Sequence, residues 1–160
     1  MFSTPDLKDK YQRKVFQGFE SMKSFGNRDS FFGQIKTVTC HDDNSKVKET
    51  LGTNGKGKVL VINSNLITHA AMIGDEIAQK AIDNEWNGIF VAGYVRDVEL
   101  LKQMDLGILA LGSTTTKTNK NNKGFLGEDV IFGGVILCQD SWLYVDKNGW
   151  LVSKEPLEVN

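Results

Sequence analysis

The chain has 160 residues, of which 40% are hydrophobic and 24% charged, a balance typical of a folded domain with its own core. The formal net charge is -1, so the chain lacks the basic field of most nucleic-acid-binding proteins, and no direct contact with nucleic acid is expected. Its start has no apolar segment of the secretory type, and its apolar runs are too short to cross a bilayer. We therefore expect a single soluble, cytoplasmic domain over residues 1–160 that makes no contact with a membrane.

The N-terminal segment has apolar residues at every third or fourth position. This spacing predicts an amphipathic helix over residues 5–25, capped by Thr4 and with Pro5 in its first turn. The apolar positions behind this prediction are Leu7, Tyr11, Val15, Phe19 and Met22. After the segment, "FFGQIKTVTC" is typical of a strand, and "DNSKVKETLG" is typical of a short polar helix that ends at Gly52.

The middle of the chain alternates apolar runs with helical segments, which indicates parallel strands joined by right-handed crossovers. Residues 66–84 have a helical composition that Gly74 interrupts, so we expect a short helix and then a second helix from residue 75. A further helix is predicted over residues 95–104. The runs that predict buried strands are "KVLVIN", "GIFVAG" and "LGILALG".

The last third of the chain changes in character. Residues 114–124 form a polar segment with three lysines and no acid, which is typical of a solvated, mobile loop; contact with an acidic partner is the weaker alternative. The short runs "DVIFGGVILC", "SWLYVD" and "GWLVS" then predict strands, with a hairpin turn at residues 146–149. The whole pattern predicts an α/β fold of three layers with β-rich ends.

Other residues that can carry chemistry favour structural roles. Cys40 and Cys138 lie in apolar runs and are expected to be buried, reduced thiols rather than a disulfide. "GTNGKGKV" resembles a phosphate-binding loop, but Val59 stands where that motif needs Ser or Thr, so a glycine turn before a strand is favoured. His41 and His69 lack a third ligand at metal-like spacing. The three tryptophans are expected to anchor a core or an interface.

The most informative stretch is "GDEIAQKAIDNEWNGIFVAGYVRD", which runs from Gly74 to Asp97. A helix of ten residues advances about 15 Å, and a strand of five or six residues returns about 17–20 Å. Because these lengths nearly cancel, Asp75 and the Arg96-Asp97 pair are expected to meet at one edge of the sheet. That edge lies beyond the carboxyl ends of the strands, where open α/β sheets bind their ligands.

The residue types at this meeting point suit an anionic substrate and a hard metal ion. Backbone N–H groups at a helix start can bind a carboxylate, and the guanidinium of Arg96 can bind a carboxylate or enolate oxygen. Asp97 is an oxygen ligand suited to Mg²⁺ or Mn²⁺, and Asp75 could hold a water on that metal and use it as a base. The structural alternatives are that Asp75 only caps its helix and that Arg96 only pairs with a neighbouring acid.

The chain resembles, nearly end to end, the family of the regulator of ribonuclease activity A and the class II 4-hydroxy-4-methyl-2-oxoglutarate aldolases. The resemblance rests on "FSTPDLKDKY", "SFGNRDSFFGQIKTV", "GKGKVLVIN", "NEWNGIFVAGYVRDVELL", "DLGILALG", "VIFGGV", "DSWLYVDKNGWLVS" and "EPLEV". It implies a three-layer swivelling β/β/α domain. It also implies a homo-oligomer, either a trimer or a dimer of trimers, with sites at subunit interfaces.

The resemblance also implies roles for particular residues. Gly74, Asp75, Glu76 and Ile77 would bind the substrate carboxylate through their amides, Arg96 the pyruvyl oxygen, and Asp97 a divalent metal. Asp75 would orient a water on that metal.

Two functions follow from this family. One is a metal-dependent lyase that acts on a small 2-keto acid, as an aldolase or an oxaloacetate decarboxylase. The other is a non-catalytic regulator that binds ribonuclease E. The presence of all three residues, Asp75, Arg96 and Asp97, favours the lyase. The start, length and end of the chain, in contrast, resemble the regulator. Because family aldolases often extend further, decarboxylation is favoured over cleavage of a bulky aldol.

Overall fold

The computed structural model describes residues 1–159. Its α-helices are α1 (Thr4–Tyr11), α2 (Ser45–Leu51), α3 (Asp75–Asp83) and α4 (Val98–Leu101). Its strands are β1 (Val15–Gln17), β2 (Lys23–Ser24), β3 (Phe31–Thr39), β4 (Lys58–Asn63), β5 (Ala71–Ile73), β6 (Gly88–Val95), β7 (Gly107–Ser113), β8 (Phe125–Leu126), β9 (Val130–Phe132), β10 (Val135–Leu137), β11 (Trp142–Asp146) and β12 (Gly149–Ser153). Across residues 1–159, no helix has the length and apolar character needed to cross a membrane.

One large mixed sheet organises the fold, with the main order β1-β12-β11-β3-β4-β6-β7-β2. Its centre is parallel, because β4 pairs in parallel with both β3 and β6, and β6 pairs in parallel with β7. β5 adds a short parallel pairing at the end of β6, and β9 and β10 form a separate antiparallel hairpin. The predicted α/β fold with parallel central strands is confirmed.

The core fills both faces of this sheet. In β4 the side chains alternate: Leu60 and Ile62 pack on the side of α2 and α3, while Val59 and Val61 pack on the side of the β9–β10 hairpin. All four are fully buried, as expected for a central strand covered on both faces. Helices, sheet and hairpin therefore form the three layers that the sequence predicts.

The predicted helix over residues 5–25 is wrong beyond Tyr11. Gln12, with φ 46°, ends α1, and the chain then turns into β1, which pairs antiparallel with β12. Pairing with an existing strand buries Val15, but leaves Phe19 77% exposed, so the helical spacing of these apolar residues was misleading. The cap of α1 is Ser3 rather than Thr4, whose hydroxyl donates to Asp146 at 2.7 Å instead.

Two shorter helical predictions also need correction. The expected short helix within 66–73 is absent, and Asn65 and Leu66 have left-handed backbone conformations. Residues 71–73 form β5 instead, because they pair with the end of β6 that extends beyond its pairing with β4. The helix predicted over 95–104 is only α4, since Val95 still belongs to β6 and Asp97, with φ 57°, cannot continue a helix.

The remaining structural expectations are largely met. Trp86 and Trp150 are buried, whereas Trp142 is half-buried. The "GTNGKGKV" segment leads into β4 as a glycine turn, with Gly57 at φ 77°. Both cysteines are free thiols; Cys40 is buried as predicted, but Cys138 is only half-buried because it follows the end of β10.

Candidate active site at the carboxyl edge of the sheet

The start of α3 and the end of β6 meet at one edge of the sheet. β5 runs parallel to β6 and leads directly into Gly74, the N-cap of α3, while β6 leads into Arg96 and Asp97. The N–H of Arg96 donates to the carbonyl of Ile73 at 3.1 Å, which joins the two segments. The predicted meeting of Asp75 with Arg96-Asp97 is therefore present in the backbone.

The carboxylate of Asp97 packs against the N-terminus of α3. Its Oδ2 accepts the N–H of Asp75 at 3.2 Å, and a Cβ added at Gly74 would lie only 2.3 Å from the same oxygen. Gly74 is thus needed for a close approach rather than for its own backbone angle. Asp97 itself has a left-handed backbone, a conformation that costs about 1–3 kcal/mol and is concentrated at functional sites.

Arg96 and Asp97 line a cleft of about 400 Å³ together with Val98, Glu99 and residues 113–115. Their side chains remain 38% and 32% exposed, so both can be reached from the cleft. Arg96 Nε lies 3.8 Å from Asp97 Oδ2, a separation too long for a hydrogen bond. The guanidinium therefore pairs loosely with a neighbouring acid, as the structural alternative expected, and still keeps hydrogen-bonding capacity for a ligand.

The other predicted residues are arranged differently. The N-cap residue of α3 is Gly74, and the carboxylate that accepts the first amide of the helix is that of Asp97, so Asp75 is not the cap that the structural alternative suggested. Asp75 and Glu76 instead line a neighbouring groove of about 570 Å³ between α3 and α4, together with Leu100. The side chain of Ile77 is buried in the core, so only its backbone could contact a substrate.

The N–H of Asp75 already donates to the Asp97 carboxylate, so it is not free to bind a substrate carboxylate as predicted. A substrate carboxylate at the N-terminus of α3 would have to use the amides of the following residues, Glu76 and Ile77. The helix dipole favours an anion at this end, and Asp97 already supplies one negative charge there.

A second group of polar residues at this edge was missed by sequence reasoning. The lysine-bearing segment 114–124 is fixed beside the cleft: Thr114 N–H donates to the carbonyl of Val95 at 2.9 Å, and Ala71 N–H donates to the carbonyl of Thr116 at 2.8 Å. The three lysines of the segment are exposed, as expected for a solvated loop, but its backbone is hydrogen-bonded to β5 and β6. The signal in the sequence was the absence of any acid among its lysines, but the two groups that hold it lie in β5 and β6, 45 and 19 residues earlier in the chain.

The fold and this edge of the sheet define the chain as a member of the Aldolase/RraA family, whose model, RraA-like, matches residues 4–152. It is 47% identical over 159 residues to a Pseudomonas putida protein named "Putative 4-hydroxy-4-methyl-2-oxoglutarate aldolase", covering 99% of this chain and 97% of that protein. Proteins of the same name from Azotobacter vinelandii and Vibrio cholerae are each 44% identical.

Two solved structures share the fold closely. The RNA-processing inhibitor RraA from Thermus thermophilus superposes with a TM-score of 0.95 at 33% identity, over 99% of this chain and 96% of that one. A protein from Geobacillus kaustophilus, described as an S-adenosylmethionine:2-dimethylmenaquinone methyltransferase, also gives 0.95, at 31% identity over 97% and 96% of the two chains.

Proposed function

We propose that this protein is a divalent-metal-dependent lyase that breaks a carbon–carbon bond in pyruvyl substrates, with oxaloacetate decarboxylation as the simplest reaction. The observation that carries the proposal is the contact of the Asp97 carboxylate with the start of α3, next to the accessible guanidinium of Arg96. The similarity to proteins named as aldolases over nearly the whole chain supports it.

The residues at the cleft are compatible with a resident Mg²⁺ or Mn²⁺. Within residues 1–159 there is no cluster of three or more acidic, His or Cys ligands, so Asp97 would be the protein ligand. Its half-exposed carboxylate, seated where Gly74 lacks a side chain, fits a cation that keeps several waters and takes further ligands from the substrate. When bound, the metal would supply positive charge that stabilises the enolate formed on bond cleavage.

The chain's own residues would act on the two ends of the pyruvyl unit. The first amides of α3 bind the carboxylate, and Arg96 donates hydrogen bonds to the 2-keto oxygen. In oxaloacetate the bond to the distal carboxylate breaks, carbon dioxide leaves, and the electron pair enters the enolate, whose oxygen Arg96 stabilises as charge develops. The enolate carbon then takes a proton from water, which Asp75 orients from the neighbouring groove that it lines.

The experiment that tests this proposal measures pyruvate release from oxaloacetate with Mg²⁺, with EDTA, and in the Asp97→Ala variant. Free Mg²⁺ decarboxylates oxaloacetate slowly, so the variants are compared at equal metal. Asp83→Ala, which removes an exposed carboxylate at the other end of α3, is the matched control. We expect a rate at least 100-fold lower in Asp97→Ala and unchanged in Asp83→Ala; equal rates in all three proteins would remove the lyase proposal.

A second candidate function is regulation of ribonuclease E by direct binding. It is supported by the superposition on the Thermus thermophilus RNA-processing inhibitor RraA. Titration of the protein into labelled ribonuclease E tests it, and no binding at micromolar concentrations would exclude it.

We also propose that the chain assembles as a trimer or a dimer of trimers. Phe19, Phe125 and Ile131 are 77%, 61% and 80% exposed, and large exposed apolar side chains of this kind are commonly buried between subunits. Sedimentation equilibrium would give the mass of the assembly.

A further inference from the structure

The chain contains three Asn-Gly pairs, at residues 54–55, 87–88 and 148–149. In such a pair the backbone nitrogen of glycine can attack the side-chain carbonyl carbon of asparagine, because glycine has no Cβ to obstruct the approach. The new C–N bond closes a succinimide ring, while the bond from that carbon to the amide nitrogen breaks and ammonia leaves with the proton of the glycine N–H. Water then opens the ring at either carbonyl and gives aspartate or isoaspartate.

The Asn87-Gly88 pair is held in place through both of its residues. Asn87 Nδ2 donates to the carbonyl of Phe32 at 2.8 Å, and Asn87 Oδ1 accepts the N–H of Gly57 at 3.3 Å. Gly88 begins β6 and is paired in parallel with β4 on one side and β7 on the other. The asparagine amide and the strand would both have to leave these partners before the ring could close.

The Asn54-Gly55 pair is held through its glycine. Asn54 is exposed, but the N–H of Gly55 donates to the carbonyl of Asn84 at 2.8 Å. Gly55 is buried against Trp86, whose ring lies 2.1 Å from the position of an added Cβ. The nitrogen that would attack is therefore engaged, and the packing around it prevents the backbone from turning towards the asparagine side chain.

The Asn148-Gly149 pair has neither restraint. Asn148 is exposed, and within residues 1–159 its side-chain amide makes no hydrogen bond. A Cβ added to Gly149 would meet no atom within 4 Å, so nothing packs against this glycine. Gly149 pairs with Asp146 at the turn of the β11–β12 hairpin, and such terminal pairs open far more readily than the interior of a sheet. The glycine nitrogen can therefore reach the asparagine side chain while the core stays folded.

The carboxylate of Asp146 connects this turn to α1. Its Oδ1 accepts the N–H of Asn148 at 2.8 Å and the hydroxyl of Thr4 at 2.7 Å, and its Oδ2 accepts the N–H of Thr4 at 2.7 Å. Conversion of Asn148 to isoaspartate would lengthen the main chain by a methylene group and add a carboxylate near that of Asp146, and nearby like charges repel. Both changes act on the group that holds the first residue of α1.

We propose that Asn148 is a site of spontaneous deamidation in the folded protein, and that its conversion to isoaspartate loosens the attachment of α1. The reaction needs only water as a co-reactant. It is independent of the proposed lyase function, because β3 and β4 separate the β11–β12 hairpin from β6, the strand that leads to Arg96 and Asp97. The modification lowers the stability of ageing molecules through their N-terminal helix.

Peptide mapping by mass spectrometry compares the three asparagines after the folded protein has been incubated at neutral pH in heavy-oxygen water. Each ring that water opens takes up one solvent oxygen, so the label identifies the residues that deamidated during the incubation. The same incubation in urea, at a concentration that unfolds the chain, removes the structural differences between the three pairs and is the control. Asn148→Ser, which has no side-chain amide to lose, is aged beside the native protein, and the Tm of each is measured before and after.

In the folded protein we expect Asn148 to deamidate roughly tenfold faster than Asn54 or Asn87, because those two pairs react only after local unfolding. In urea the three rates should become similar, since each asparagine precedes a glycine. Aged native protein should melt about 2–4 °C below fresh protein, whereas ageing should leave the Tm of Asn148→Ser unchanged. A rate at Asn148 no higher than at the other two asparagines of the folded protein would overturn the site. An unchanged Tm after conversion of Asn148 would overturn its link to α1.

Discussion

Two clefts of the protein differ clearly in size and in chemistry. The larger, about 870 Å³, lies beside the β9–β10 hairpin and is lined by side chains such as Phe16, Ile136 and Trp142. The smaller, about 400 Å³, contains Arg96 and Asp97 at the carboxyl ends of the parallel strands. The large cleft has mostly apolar walls, whereas the small one has an accessible guanidinium, a carboxylate on a left-handed residue, and the hydroxyl side chains of residues 113–115.

Under the proposed function the reacting site is the smaller of these two clefts, so volume alone would not identify it. The parallel half brings strand ends and helix starts to one edge, and this concentrates backbone N–H groups and charged side chains. The antiparallel half brings together strand faces, which concentrates apolar side chains. One fold can support different functions, so the residues of the small cleft, rather than the fold, carry the proposed chemistry.

The substitution Gly74→Ala should have the largest effect on this comparison. The new Cβ would lie 2.3 Å from Asp97 Oδ2, so the carboxylate must move away from the head of α3. We expect oxaloacetate turnover to fall about 10–100-fold, because misplacement by an ångström is enough for such a loss. Gly52→Ala is the control, since its Cβ would meet mainly the flexible end of Lys80. Native turnover in Gly74→Ala would show that the small cleft is not the reacting site.

The substitution Asp43→Asn tests whether segment 114–124 depends on its contact with the Asp43 carboxylate. Burial by itself would raise the pKa of Asp43. Hydrogen bonds from Ser45 and from the backbone of Asn121 and Lys123 lower the pKa by more than burial raises it, so the pKa of Asp43 lies below its usual value. The substitution should cost about 2 kcal/mol at pH 7, or about 4–8 °C in Tm.

The pH dependence of that loss has a defined sign. A carboxyl group whose folded pKa is depressed stabilises the protein above its unfolded pKa, about 3.9, and loses this contribution as the pH falls through the folded value. The difference in Tm between the native protein and Asp43→Asn should therefore shrink between pH 5 and pH 2, as measured by calorimetry. A constant difference over this range would mean that the charge of Asp43 is not what holds the loop.

Alkylation of Cys138 should have the smallest effect. Cys138 lines the large cleft, whereas Cys40 is buried and its pKa is raised to about 12, chiefly by burial. The pKa of Cys138 is also raised, by burial and by Asp129, so N-ethylmaleimide should react with it slowly at pH 7 and faster at pH 9. Mass spectrometry should show a single modified thiol, absent in Cys138→Ala, with turnover within twofold of native. Loss of turnover on labelling would assign a role to the large cleft.

Local patterns were reliable where one segment carried its own information. The runs that became β4, β6 and β7 were recognised because a strand buried on both faces needs a continuous apolar sequence. The same patterns failed where a neighbouring segment decided the outcome. Val15 joined β12 and residues 71–73 joined β6, and in both cases pairing with an available strand overrode the local helical preference.

The sequence by itself determined the family, the α/β class and the edge at which Asp75 meets Arg96-Asp97, because these follow from residue types, run lengths and chain order. Only the tertiary structure decided that Asp97 contacts the amide of Asp75, that Asp75 lines a separate groove, and that the Lys120 ammonium donates to Asn44. These contacts join residues 22 and 76 positions apart, and their geometry depends on the packing of whole elements. No local spacing encodes that packing.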